Sequence, residues 1–167
     1  GREGFNRKIW SYVFEGGDGN TLALSLVSPD GDENYPGMLR VEVRYTLVNG
    51  ELRIDYAAMS DKKTAINLTN HAYFNLDGAG SGNVLDTFLR IAASRYTPTD
   101  ETLIPHGEFK DVEGTPFDFR RARRIGERIN DTDDQDIAYQ GGYDVNYVFD
   151  KKQGSYEKVA EAESERS

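Results

Sequence analysis

Asn49-Gly50 lies between two runs that alternate residue by residue, and no other feature of the chain restricts the fold as much. Upstream, Val41, Val43, Tyr45 and Leu47 alternate with Arg40, Glu42, Arg44 and Thr46. Downstream, Leu52, Ile54, Tyr56 and Ala58 alternate with Arg53, Asp55 and Ala57. A period of two puts each set on its own face of a strand. Asn-Gly tolerates the two positive φ values of a type I′ turn, whose twist matches that of the flanking strands. So short a loop fixes the register, setting Val48 opposite Glu51, Leu47 opposite Leu52, Tyr45 opposite Ile54 and Val43 opposite Tyr56. Arg44 then falls across from Asp55, which predicts a cross-strand ion pair.

Other segments follow the same pattern. Ile9 to Glu15 and Thr21 to Ser28 alternate around the turn cluster Gly16-Gly17-Asp18-Gly19-Asn20, and Thr87 to Ala93 reads as a further strand. Tyr143 to Phe149 sets Tyr143, Val145, Tyr147 and Phe149 against Asp144, Asn146 and Val148. The 17 glycines, 10 tyrosines and 8 phenylalanines suit many strands joined by turns. Phe117 to Ile129 is the one predicted helix, with Ala122, Ile125 and Ile129 at helical spacing. Its Arg120, Arg121, Arg123, Arg124 and Arg128 read as a solvated face rather than an anion site. Asn130 to Asp136 reads as an acidic loop, and the tail from Lys151 as polar and frayed at its end. The expectation is an all-β, antiparallel fold with at most one short helix, in a single domain over residues 1–167.

The chemistry concentrates in Asn67-Leu68-Thr69-Asn70-His71-Ala72-Tyr73-Phe74-Asn75-Leu76. Read as a strand, one face carries Asn67, Thr69, His71, Tyr73 and Asn75. The other carries Leu68, Ala72, Phe74 and Leu76, interrupted by Asn70. Amide, hydroxyl, imidazole and phenol without a formal charge suit the floor of a site for a neutral polyhydroxylated ligand better than a solvated surface. The plain alternative is a strand that carries one histidine for no chemical reason. The glycine-rich loop Asp77 to Asn83 follows directly. His106, between Pro105 and Gly107, has no sequence partner and reads as exposed and without a role.

Composition excludes several partners. The net charge of −9 argues against a nucleic-acid backbone or an anionic membrane. With no cysteine there are no disulfides and no thiolate metal sites. No apolar run approaches the length of a membrane-spanning helix.

Five segments together carry a family resemblance. They are Gly4-Phe5-Asn6-Arg7-Lys8-Ile9-Trp10, Tyr35-Pro36-Gly37, Asn67 to Leu76, Asp100-Glu101-Thr102-Leu103-Ile104-Pro105 and Gly142-Tyr143-Asp144-Val145-Asn146. In this order they resemble the aldose 1-epimerases, the galactose mutarotases, over essentially the whole chain. The resemblance implies a large antiparallel β-sandwich that binds a hexose such as galactose or glucose on its concave face. It also implies anomer interconversion by acid and base, with no cofactor and no metal. His71 corresponds to the acid that protonates the ring oxygen, and an imidazole, titrating near pH ~6.5, can give up and recover a proton near neutrality. Asp144 corresponds to a residue that binds sugar hydroxyls. Tyr73 and Asn70 are further candidates for substrate contact, Tyr73 by lining the pocket or orienting the imidazole. A cytoplasmic location is the matching expectation.

The departures from the family pattern are equally specific. A second histidine and a sugar-contacting arginine would fall before Gly1, and the general-base glutamate after Ser167. Asn6 stands where an aspartate is usual, and Val145 where a histidine often follows the aspartate. The expectation is therefore the central part of a longer mutarotase-like domain, with association-prone sheet edges and no catalysis on its own. The alternatives are a non-catalytic carbohydrate-binding module on the same sandwich, a relative acting on hexose phosphates, and a purely structural sandwich unit.

Overall fold

The computed structural model describes residues 3–17 and 19–165. Gly1, Asp18 and Ser167, which enter the sequence reading at the start, the first turn and the tail, lie outside the described residues. The chain divides into two compact units, Gly1–His71 and Ala72–Ser167. The described ladders are all antiparallel, and the structure contains a single short α-helix among the described residues. Among the described residues no helix is long and apolar enough to cross a membrane.

The first unit is one four-stranded sheet of β1 (Ser11–Glu15), β2 (Thr21–Ser28), β3 (Leu39–Val48) and β4 (Glu51–Ser60), in that order. Asn49 and Gly50 take φ of 51° and 78°, the doubly left-handed turn that Asn-Gly favours. The register is the one the turn dictates, from Val48 opposite Glu51 to Val43 opposite Tyr56. Leu39, Val41 and Val43 are buried on one face, with Phe5, Trp10, Tyr45, Ile54 and Leu68 packed against them. Trp10 donates its indole N–H to the Phe5 carbonyl at 2.9 Å, fixing the residues that lead into β1.

The expected Arg44–Asp55 ion pair does not form, although the two residues are directly opposite. Arg44 instead takes Glu42 at 2.7 Å on its own strand and Glu15 on β1, while Asp55 pairs with Arg53. The register places Ala23 of β2 on the other side of Arg44 and Val13 beyond it, so a long guanidinium can reach past small neighbours to Glu15. Two carboxylates there compete with Asp55 and win.

The second unit holds two three-stranded sheets. One is ordered β10-β5-β8, from Ala160–Glu163, Phe88–Ile91 and Arg123–Arg124. The other is ordered β7-β6-β9, from Lys110–Asp111, Ala93–Thr97 and Asn146–Phe149. The single strand expected over Thr87 to Ala93 is thus divided at Ala92 between the two sheets. Within the polar tail that starts at Lys151, Ala160–Glu163 forms β10 and pairs with β5. Tyr96, Val112, Phe117 and Ile137 form one buried cluster and Ile91, Ala93 and Phe119 another. Tyr143 and Tyr147 touch both.

The predicted helix over Phe117 to Ile129 is absent. Phe117 and Phe119, two residues apart, are both buried, a period that a helix would have placed on different faces. Arg123 pairs with Leu89 in β8, and Ile125–Glu127 makes one 3-10 turn. The arginines are largely engaged: Arg120 with Asp118 at 2.7 Å, Arg124 with Glu165 at 2.6 Å, and Arg128 with Asp131 at 2.7 Å. The helix is instead α1 (Gln135–Gln140), in what reads from sequence as acidic loop and its continuation. Asp134 caps it by accepting from the N–H groups of Asp136 and Ile137, and Gly141, at φ 67°, closes it in the left-handed conformation.

Candidate functional site

The stretch Asn67 to Leu76 has no regular secondary structure, runs into a turn at Leu76 and joins no ladder, so it is not the strand its alternation suggests. A strand needs a neighbour to take up its backbone N–H and C=O groups, and none of the described strands pairs with it. Its apolar set is correspondingly uncovered. Leu68 reaches the Leu39–Val41–Val43 cluster, whereas Phe74 is 76% exposed.

In the first unit this stretch is tied to β3 immediately before His71. Asn70 donates from its side-chain amide to the Tyr45 hydroxyl at 3.1 Å, and the Thr69 hydroxyl donates to the Asn70 carbonyl at 3.2 Å. The His71 side chain that follows is exposed. Tyr45 was legible only as an apolar-face residue of the hairpin, and its role in holding Asn70 has no sequence signal. Nearby in the chain, Thr64, Asn67 and Leu68 join Phe5, Ser28 and Asp32 in lining a concavity of about 230 Å³. Asp32 accepts from Lys8 and from the Ser28 hydroxyl, each at 2.5 Å, and these bonds hold its carboxyl below the ordinary carboxylate range. The Thr64 hydroxyl at this concavity is buried with no hydrogen-bond partner among the described residues.

In the second unit Tyr73 stands out at 90% exposed. Asn75, expected on the same polar face, has a different task. Its amide donates to the Gly82 carbonyl at 3.2 Å and its oxygen accepts from the Asp77 N–H at 3.0 Å, so it closes the glycine-rich loop. Asp144 is exposed on the segment between α1 and β9. Before it, Gly141 and Gly142 take φ of 67° and 148°, values that L side chains rarely adopt. The ring of Tyr143 then packs edge-on to Phe117 and Phe119, with centroids 5.5 and 5.1 Å away. The Asp144 N–H donates to the Gln140 side-chain oxygen at 2.9 Å, and the Gln140 amide donates to the Thr99 hydroxyl at 3.2 Å. The carboxylate is therefore carried on a short segment pinned from both sides. Sequence reasoning passed over Gln140, although its place directly before Gly141-Gly142-Tyr143-Asp144 marks it as the last residue of a helix.

Of the residues singled out from sequence, Asn70 and His71 close the first unit and Tyr73 and Asp144 belong to the second. His106 is exposed, as expected, and its backbone N–H bonds to the Pro98 carbonyl at 3.3 Å.

The family model for aldose 1-epimerase matches residues 3–167. The galactose mutarotase of Pongo abelii is 43% identical over 159 residues, 95% of this chain and 43% of that protein. The aldose 1-epimerase of Escherichia coli K12 is 42% identical over 161 residues, 96% of this chain and 45% of its own length. Among solved structures, galactose 1-epimerase from Lactobacillus acidophilus NCFM superposes with a TM-score of 0.83 at 33% identity, over 95% of this chain and 46% of that one. The chain thus spans less than half the length of the relatives it matches. It belongs to the aldose 1-epimerase family.

Proposed function

We propose that this chain is the central part of an enzyme that interconverts the α and β anomers of a hexose such as galactose or glucose. The observation that carries the reading is the family match over residues 3–167 together with relatives named galactose mutarotase and aldose 1-epimerase. In this reading His71 is the acid, giving its proton to the ring oxygen while a carboxylate outside the assigned residues removes the proton of the anomeric hydroxyl. The C1–O5 bond breaks, C1 becomes an aldehyde, and rotation about C1–C2 presents its other face. On ring closure the O5 hydroxyl attacks C1 and returns its proton to His71, while the carboxylic acid gives its proton back to the former aldehyde oxygen, which yields the other anomer. Asp144 accepts hydrogen bonds from sugar hydroxyls, and Tyr73 and Asn70 complete the contact. The exposure of Asp144 and Tyr73, and the tie from Asn70 to Tyr45 just before His71, support these assignments. A charge-neutral substrate also suits a chain of net charge −9.

On this proposal the 167 residues do not supply the general base by themselves and leave mutarotation at the uncatalysed rate. Polarimetry on freshly dissolved α-D-galactose tests both parts. The chain alone, and a full-length protein containing it, are each compared with their His71→Ala variants. The full-length protein should accelerate mutarotation and lose on the order of 10²–10⁴-fold with His71→Ala. Acceleration that survives His71→Ala would remove His71 from the acid's role. Sugar binding without any acceleration by the full-length protein would make it a binding module instead.

A further inference from the structure

We infer that Gln140 is a positioning residue for Asp144, anchored in turn by Thr99. The inference rests on the reading of Asp144 as a sugar-binding carboxylate and adds to it the device that aims that carboxylate. Asp144 follows two glycines with φ of 67° and 148° and precedes the first ladder residue of β9, Asn146. Its own N–H enters no sheet, and its bond is to the Gln140 side chain at 2.9 Å.

The amide of Gln140 has only one orientation that works. A backbone N–H can only donate, so the oxygen of the amide must face Asp144 and the NH₂ must face Thr99. The Thr99 hydroxyl accepts from it at 3.2 Å. Thr99 is itself buried and is held in a β-bridge to Pro105. Gln140 cannot swing with the glycines, because it is the last residue of α1, whose Ile137 is packed in the core and whose end is closed by the Gly141 N–H on the Ile137 carbonyl at 2.8 Å. Rigid core, helix end, side-chain amide and Asp144 backbone thus form one continuous support. Without it, the Asp144 backbone loses its anchor, and the packed ring of Tyr143 is what remains next to the carboxylate to restrain it.

Three variants of the full chain, Asp144→Ala, Gln140→Leu and Gln140→Glu, are titrated with galactose by NMR, and amide exchange is followed at Asp144. Gln140→Leu keeps the length and removes the acceptor, while Gln140→Glu keeps an oxygen that the Asp144 N–H can use. The loss of one hydrogen bond corresponds to roughly five- to tenfold. Gln140→Leu should therefore weaken galactose binding by about that factor and speed exchange at the Asp144 amide by a similar one, while the fraction of protein that binds is unchanged. Gln140→Glu should restore the protection. Damage to the fold would instead lower the binding fraction at unchanged affinity, and that result would overturn the inference. So would unaltered galactose affinity in Gln140→Leu alongside weakened affinity in Asp144→Ala. If Asp144→Ala leaves galactose binding intact, the sugar-binding role of Asp144 is what fails. Exchange at its amide then decides by itself whether Gln140 holds that backbone.

Discussion

The hydroxyl of Tyr96, on β6, donates to the carboxylate of Asp136, on α1, at 2.7 Å across 40 residues of sequence. Both residues are buried, and Lys110 reaches the same carboxylate oxygen at 2.9 Å from a half-exposed side chain. A buried carboxylate is tolerated only when its lone pairs are engaged. Tyr96 is therefore more than the largest buried ring of its cluster, since it also completes the solvation of Asp136. Tyr96→Phe should lower stability by about 1–3 kcal/mol, because the ring stays and the carboxylate loses a buried donor. At this chain length that is roughly 2–4 °C of Tm per kcal/mol, readable by thermal melting. An unchanged Tm would mean that Lys110 alone satisfies Asp136.

The same tyrosine sets an alkaline limit. Burial, and then the bond to Asp136, push its hydroxyl well above the ordinary value of 10.0, and burial also raises Tyr143 and Tyr147. A group whose folded value is raised contributes stability that is fully present below its unfolded value and is lost as pH rises through the folded one. Stability should fall as pH climbs above about 10, and the fall should be shallower in Tyr96→Phe. Parallel losses in the two proteins, followed by circular dichroism against pH, would assign the alkaline limb to other groups.

How much of this was legible in the sequence follows from how local each interaction is. The β3–β4 hairpin was readable to the residue because turn chemistry and alternation are both local and agree. The Arg44 pairing was not, because Glu15 lies two strands away and register alone says nothing about it. Asn67 to Leu76 shows the opposite failure: its alternation is as clean as that of β3, yet no described strand lies beside it to make a ladder. Phe117 to Ile129 was misread because Ala122, Ile125 and Ile129 fit a helical period by chance, while the buried pair Phe117 and Phe119 carried the true period of two. The segments bearing His71 and Asp144 were readable, but the supports of Asn70 and Asp144, Tyr45 and Gln140, depend on contacts that spacing does not encode.

Acid sensitivity should trace in part to Asp32. Its hydrogen bonds to Lys8 and then Ser28 hold the carboxyl below its ordinary 3.8, and the same contact raises Lys8. Here the sign is reversed: the stabilisation is present above the ordinary carboxyl value and disappears as pH falls toward the depressed folded one. Asp32→Asn should melt lower than the parent at neutral pH, with the two curves converging below pH about 4. A constant gap between them across the acid range would show that the Lys8–Asp32 contact is not what titrates.

Gly126 offers a steric test of the second unit. A Cβ there would stand 2.9 Å from the Leu85 Cβ and 3.0 Å from the Leu85 carbonyl oxygen, which accepts the Gly126 N–H at 2.8 Å. Neither is the end of a flexible chain, so the backbone must move. Gly126→Ala should cost about 1–3 kcal/mol through overpacking. Gly17→Ala, with nothing within 4 Å of the added methyl, should be near neutral. Equal melting temperatures for the two variants would place the Leu85 contact in a segment that yields freely.

The choice Arg44 makes between carboxylates can be measured by double-mutant cycles. Arg44 is in contact with Glu42 and Glu15, and Asp55 is engaged by Arg53. Removing Arg44 and Glu15 singly and together should give a small favourable coupling that fades as salt is raised, since these side chains are about 40% exposed and well screened. The corresponding cycle for Arg44 and Asp55 should give no coupling, despite their facing positions in the ladder. A coupling in the second cycle equal to that in the first would return Arg44 to the partner that its register suggests, and would make the reach to Glu15 one of two interchangeable states.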